Sequence, residues 1–451
     1  MIPWVQGWAV VLFIARSLVL SPGGVHGASQ IISQADRIVL QNELRLVVCE
    51  DRSLPMVTVR LLIDAGSRRD PSGREGLANL TVRGLFLGTS EHTTNAIHEM
   101  FDAMGVSTTI SAEKDFVVLG LQVLKKDFHE AMRLLVELIT QPTFPEQEIQ
   151  KDVNRLLGEI QSDEDRPGRA ANELFDEALF ADSPYGHPVK GSFESLLNLT
   201  RQQVVEFYSA YYQPGNAVLC VAGDIASTEA KADLIPILLK WQMKGEHKER
   251  ELTACMMGPE TIRMQRNITQ ANIVLGHKGV ARDDPDYYAL QVMNHILGGG
   301  GFGSRLFEEI RVKRGLTYRV TSLLEAMKYA GSFQIMLQTK NASAGEAIAI
   351  CQEQMQRIRD ELVTQEELDL AKKYLTGSFP LRIDSLRELA DFITQAEYYG
   401  LGLDYPERYP ALIGSVTRED VLRVARAHLH PDRCILVIIG NFKEGEEEKS
   451  R

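Results

Sequence analysis

The sequence predicts an α+β protein built twice over, two similar domains that are each a sheet covered by helices. The first observation is an internal repeat. YYQPGNAVLCVAGDI (211–225) recurs as HLHPDRCILVIIGNF (428–442), so Pro214 matches Pro431 and Gly223 matches Gly440, each 217 residues on. Upstream, DAGSRRDP, ending at Pro71, parallels KGVARDDP, ending at Pro285, 214 residues on. The second observation is that AVLCVAG and CILVIIG are apolar at consecutive positions, which puts them at the centre of a sheet with both faces covered. Third, apolar residues at i, i+3 and i+4 mark helices in DFHEAMRLLVELI (127–139) and AGEAIAICQEQMQRIRDEL (344–362).

Composition sets the outer limits. The 451 residues are 44% hydrophobic and 24% charged, the profile of a globular chain rather than a disordered or fibrous one. Lys and Arg total 49 against 61 Asp and Glu, and the resulting net charge of -12 argues against a nucleic-acid partner. Residues 1–27 read as a signal peptide: an apolar run at 8–15, then SLVLSPGG, then small residues around Val25, His26 and Gly27. That run is shorter than the about 20 residues a transmembrane helix needs, so the expectation is a periplasmic or secreted protein. Residues 37–240 form the N-terminal domain, opening on the alternating strand PMVTVRLLID; 241–261 form a linker containing the charged KGEHKEREL (244–252). Residues 262–445 form the C-terminal domain, opening on ANIVLGHKG. The five cysteines stand singly, and Cys49, Cys220 and Cys434 sit in apolar strand-like runs, so they read as small core residues rather than a disulfide framework.

Five segments then occur in order: GSRRDPSGREGLANLTVRGLFLGT, LGEIQSDEDRP, YGHPVKG, YYQPGNAVLCVAGDI and LGGGGFGSRLFEEIRVKRGLTY. In that order they resemble the pitrilysin/insulinase family of zinc peptidases, above all its two-domain bacterial members and the subunits of mitochondrial processing peptidase. The resemblance implies mainly antiparallel sheets and, in catalytic members, a helix bearing His-x-x-Glu-His with a distant Glu as third zinc ligand. Here those five positions read Asn79, Leu80, Thr81, Val82 and Arg83. Both histidine ligands and the general base are missing, and the permanent charge of Arg83 opposes a dication. The third-ligand position falls on Glu159, and an ion pair with Arg83 is the expected replacement for the metal. No other histidines have zinc-site spacing, so no metal or other cofactor is expected in this chain.

The remaining motifs receive plainer readings. His187, in YGHP, reads as a hydrogen-bonded loop histidine, and Asp163, Glu164 and Asp165 as a solvated loop after a helix. Gly298, Gly300 and Gly303 match G-x-G-x-x-G, but they follow the helical pattern YYALQVMNHIL rather than a strand, which excludes a dinucleotide site and leaves a helix C-cap with a flexible turn. The resemblance implies a substrate-facing role for this turn, Gly299, Gly300 and Gly301 included. It also implies that Arg311 and, seven residues on, Tyr318 hydrogen-bond a peptide carbonyl, work suited to a guanidinium fork and a phenol. The helix bearing Arg311 should stop near Gly315. Together these imply a noncatalytic, substrate-binding subunit of a heterodimeric zinc peptidase whose homologous partner carries His-x-x-Glu-His and the zinc, with peptide as substrate. The alternative is a structural scaffold of the same family.

Overall fold

The computed structural model describes residues 32, 34–181, 183–243 and 259–442. The signal-peptide reading, the charged stretch at 244–252 and Cys255 lie outside the described residues. The strands are β1 (Asp36–Val39), β2 (Arg45–Glu50), β3 (Met56–Ile63), β4 (Ser107–Ala112), β5 (Val117–Leu124), β6 (Ala217–Gly223), β7 (Glu260–Gln265), β8 (Gln270–Lys278), β9 (Thr317–Ala326), β10 (Gly331–Lys340) and β11 (Ile435–Gly440). They form a six-stranded sheet, β1-β2-β6-β3-β5-β4, and a five-stranded sheet, β7-β11-β8-β10-β9. Each sheet has one parallel pair, β2 with β6 and β7 with β11, and is otherwise antiparallel. Apart from the extra edge strand β1 the two orders are the same, which is the sequence repeat expressed as topology. The fold is α+β with two mixed sheets in two domains.

The helices that bear on the site are α1 (Leu77–Gly84), α2 (Glu146–Glu164), α3 (Pro167–Leu179), α4 (Tyr287–Asn294), α5 (Gln365–Ser378) and α6 (Leu386–Tyr398). Two of them cross between halves. From the N-terminal half, α3 lays Ala171, Phe175 and Leu179 against Val274, Val437 and Ile439 of the second sheet. From the C-terminal half, α6 lays Leu389, Ala390 and Ile393 over the face of the first sheet that carries Val47, Cys49, Cys220 and Ala222. Each contiguous half of the sequence thus lends one helix to the other, and β7 begins at Glu260, within the stretch assigned to the linker.

This exchange explains two features that patterning alone misreads. PMVTVRLLID alternates, which implies one wet face, yet β3 is buried along Val57–Ile63 because α6 covers its polar side. Arg60, 2% exposed, points under α6 and donates from Nε to Asp391 at 2.7 Å. Cys49, Cys220 and Cys434 are buried free thiols, as their apolar runs suggest. A polar clasp also joins the halves: the Lys328 backbone N–H donates to Asp115 at 2.8 Å, the Tyr399 hydroxyl to Asp115 at 3.2 Å, and the Tyr398 hydroxyl to Asp64 at 3.4 Å. Arg68, 1% exposed, pairs with both carboxylates.

Candidate functional site

The region that would hold a metal is built from α1, α2 and the YGHPVKG loop. The sequence starts α1 at the Gly76 turn, where Asp70 accepts the backbone N–H groups of Gly76 and Ala78 at 2.8 Å and so caps the helix from a distance. Arg83 lies in its last turn and reaches α2. Its guanidinium donates to both oxygens of Asp152, at 2.8 and 3.2 Å, and to Glu159 at 3.3 Å. The expected pair with Glu159 is present, but the stronger, two-pronged partner is Asp152, 2% exposed in its side chain. Arg155, one turn further along α2, approaches the same carboxylate.

Glu159 is held from a second side. Lys190, from YGHPVKG, lies 3.0 Å from Glu159 and 2.8 Å from Asp163. Burial pushes the Glu159 carboxyl upward, but Lys190 and Arg83 outweigh it and hold the group below the ordinary glutamate range. Asp163 follows the same pattern, burial opposed and overcome by Lys190 and Arg169. The acidic run is therefore not a solvated loop: Asp163 and Glu164 end α2, and Asp163 is buried in an ion-pair network that local composition could not disclose. Asn79 is 8% exposed, and its side-chain nitrogen has no hydrogen-bond partner among the described residues. Val82 is fully buried in the first core. One carboxylate flanked by two cations is no receptor for a dication: the donor set does not fit zinc. Beside it opens a groove of about 530 Å³ between α2 and the edge strand β4, lined by Arg83, His98, Thr108, Lys151 and Arg155.

His187 keeps the role read for it. Its Nδ1 lies 3.2 Å from the Pro188 carbonyl, and burial lowers its pKa, so the ring is neutral. Histidine–carboxylate clusters do form across the fold, contrary to the expectation from linear spacing. His129 meets Glu229 and Asp233, and His428 meets Asp284 and Asp286. In the second cluster Arg423 already pairs with Asp286 at 2.8 Å.

The other candidate residues form a separate cluster on the second domain. Arg311 lies in the helical turn Phe307–Val312, which ends where Gly315 takes a left-handed φ of 62°, and Tyr318 follows in β9. The guanidinium carbon sits 4.6 Å from the Tyr318 ring centre, 4.8 Å from Phe307 and 5.7 Å from Phe302. Tyr318 and Phe302 are each 81% exposed. Among the described residues Arg311 has no hydrogen-bond acceptor and no ion-pair partner, so its N–H donors are open to a ligand. Phe302 went unread because an isolated aromatic in a glycine-rich turn carries no periodic signal.

That turn holds the expected helix cap, at Gly300. α4 reaches it by widening into a π turn, His295–Gly299, and a 3-10 turn, Gly301–Gly303, follows. Glycine is required at 300, where a Cβ would come within 2.7 Å of the His295 carbonyl oxygen, and at 301, where φ is +57°. The turn presents Phe302 to Arg311. No hydrogen bond, ion pair or ring contact among the described residues links the Arg311 cluster to Arg83 and Glu159, which belong to the other domain.

Comparison with known proteins agrees with this architecture. Residues 45–192 match the family model described as insulinase (peptidase family M16), and residues 198–375 match that of the peptidase M16 inactive domain. An uncharacterised zinc protease of Streptomyces coelicolor is 28% identical over 97% of this chain and 95% of its own length. The non-peptidase homolog YmxG of Helicobacter pylori is 24% identical over 93% of this chain and 97% of its own. A crystal structure described as a peptidase M16 inactive domain from Pseudomonas fluorescens superposes with a TM-score of 0.85 at 29% identity, covering 91% of this chain and 98% of that one. With two M16 models matched in tandem and the two-sheet architecture shared, the chain belongs to the insulinase family, peptidase family M16.

Proposed function

We propose that this chain is the noncatalytic, substrate-binding subunit of a heterodimeric zinc peptidase, working in the periplasm or outside the cell beside a homologous subunit that carries His-x-x-Glu-His and the zinc. The observation that carries this reading is the contrast in what the polar groups are doing. Where the family holds its metal, Arg83 and Lys190 occupy Glu159, and nothing remains to generate hydroxide at neutral pH. At Arg311 and Tyr318 the donors have no partner among the described residues and Tyr318 is exposed, as a site for a peptide carbonyl requires. The name of the Helicobacter pylori relative, a non-peptidase homolog, favours the same reading.

The test is reconstitution with the partner subunit. The isolated chain should cleave no peptide, and chelator-sensitive cleavage by it would contradict the proposal. In the assembled enzyme Tyr318→Phe should lower turnover about a hundredfold, the effect of losing one oxyanion donor, with little change in KM. Arg311→Ala should raise KM as well, because its fork also holds the ground state. Wild-type kinetics in both variants, with assembly intact, would return the chain to a scaffold role.

A further inference from the structure

Charge pairing around the helices Phe128–Thr140 and Ser227–Leu238 leaves three side chains over. The cations near them in sequence each have an acid of their own: Lys125 pairs with Asp224 at 3.0 Å, Lys126 with Asp127 at 3.1 Å, Arg133 with Glu130 at 3.4 Å, and Lys231 with Asp36. The carboxylates of Glu229 and Asp233 have no lysine or arginine partner and accept no hydrogen bond among the described residues. They stand at i and i+4 on one face of their helix, beside the stripe of Ala230, Leu234 and Leu238 that packs into the first core. From the other helix comes His129, whose neighbour Phe128 is buried in the same core. One ligand atom from each of the three residues lies within 4.8 Å of the other two. His129 Nε2 stands 3.7 Å from Asp233 Oδ2, too far for a hydrogen bond. That separation is close to the edge between two ligands of one tetrahedral ion, about 3.4 Å for bonds of about 2.1 Å.

We propose that His129, Glu229 and Asp233 bind a zinc ion that bridges the two helices, a surface site that shares no residue with Arg83 and Glu159 and does not rest on the peptide-binding reading. An imidazole among the donors suits zinc, whereas magnesium and calcium take oxygen donors alone. The two carboxylates neutralise the dication, and water completes the tetrahedron. Where the family holds its metal, one carboxylate is flanked by two cations; here two carboxylates and an imidazole face one another with none. The ion can therefore enter without breaking an existing pair. The second cluster has the same donor types but lacks that freedom, since Asp286 is already taken by Arg423 and by His428, each at 2.8 Å. With His129 47% and Asp233 44% exposed in their side chains, the bound ion exchanges with solvent and is lost on dialysis. Linear spacing hides the site, because His129 precedes Glu229 by 100 residues.

The experiment is isothermal titration calorimetry of the full chain, untagged and stripped with chelator, with zinc chloride at neutral pH. The wild type should take up one zinc in a saturable, micromolar step, and magnesium chloride should give no such step. His129→Ala and Glu229→Gln, one on each helix, should each weaken the step at least about tenfold, since even partners that only orient a metal ligand are worth that much. Both positions lie outside the core, so the two variants should unfold like the wild type when zinc is withheld. His428→Ala should leave the step unchanged. No saturable uptake by the wild type, or uptake that survives His129→Ala or Glu229→Gln, overturns the site. Uptake lost in His428→Ala overturns it as well, and moves the zinc to the second cluster.

Discussion

Arg83 and Arg311 are half-buried arginines in corresponding halves of a duplicated fold, and their surroundings differ in kind. Arg83 is held by carboxylates: Asp152 takes it two-pronged and Glu159 takes what remains. Among the described residues the Arg311 guanidinium has ring partners but no acceptor: Phe302, Phe307 and Tyr318. A guanidinium whose donors engage carboxylates inside the protein stabilises the fold, and one that leaves them open is positioned for something outside it. The difference separates a site that has become structure from a site that remains a site.

The sharpest way to break this comparison is at Arg83. Arg83→Leu leaves Asp152, 2% exposed, with Arg155 as its remaining cation, and we expect a loss of about 2 kcal/mol by urea unfolding. Arg83→Leu combined with Asp152→Leu should recover part of that loss, because the cost lies in a buried carboxylate left with one cation rather than in the absence of the pair. A single variant as stable as the wild type would place Arg83 among ordinary surface arginines. Arg311→Leu should change unfolding by less than about 0.5 kcal/mol, since no hydrogen bond or ion pair is lost, and the same variant should lose peptide affinity.

Metal content sharpens the comparison from the other side. Asn79→His with Arg83→His, made together, restores two imidazoles one helical turn apart facing Glu159, and metal analysis should find zinc retained through dialysis where the parent retains none at this position. The smallest expected effect is in pH. Glu159 has a folded-state pKa below its ordinary value of 4.5, so its contribution is present above that pH and is lost as the pH falls through the folded value. Acid unfolding below about pH 4.5 should therefore be steeper in the wild type than in Glu159→Gln. Because Glu159 is about one-third exposed, solvent screening keeps the difference modest.

Much of the fold was legible in the sequence because it depends on local pattern. The match of Pro214 with Pro431 announced a duplication that the strand orders repeat, and the unbroken apolar run CILVIIG announced a strand covered on both faces. What covers that strand was not legible, since nothing in the apolar stripe of α3 says to which sheet it belongs. The same limit governed the site. The loss of His-x-x-Glu-His and the cation that faces Glu159 in its place, Arg83, stood in five consecutive letters, but the second cation and the main partner of Arg83 did not. Lys190 lies 31 residues beyond Glu159, and Asp152 reads as one more charge on a polar helix until the fold turns it toward Arg83.

The exchange of α3 and α6 makes the covalent junction between the halves mechanically redundant. A chain cut between residues 244 and 258 would have each half still covering an apolar sheet face of the other, with Lys328, Tyr398 and Tyr399 still bound to Asp64 and Asp115. Separation would uncover the Cys49–Cys220 face on one side and the Val274–Val437 face on the other, surfaces that water penalises and other chains adhere to. The two halves therefore travel as one body after a nick, and either half expressed without its counterpart would leave one apolar sheet face bare, although the N-terminal half keeps a core of its own.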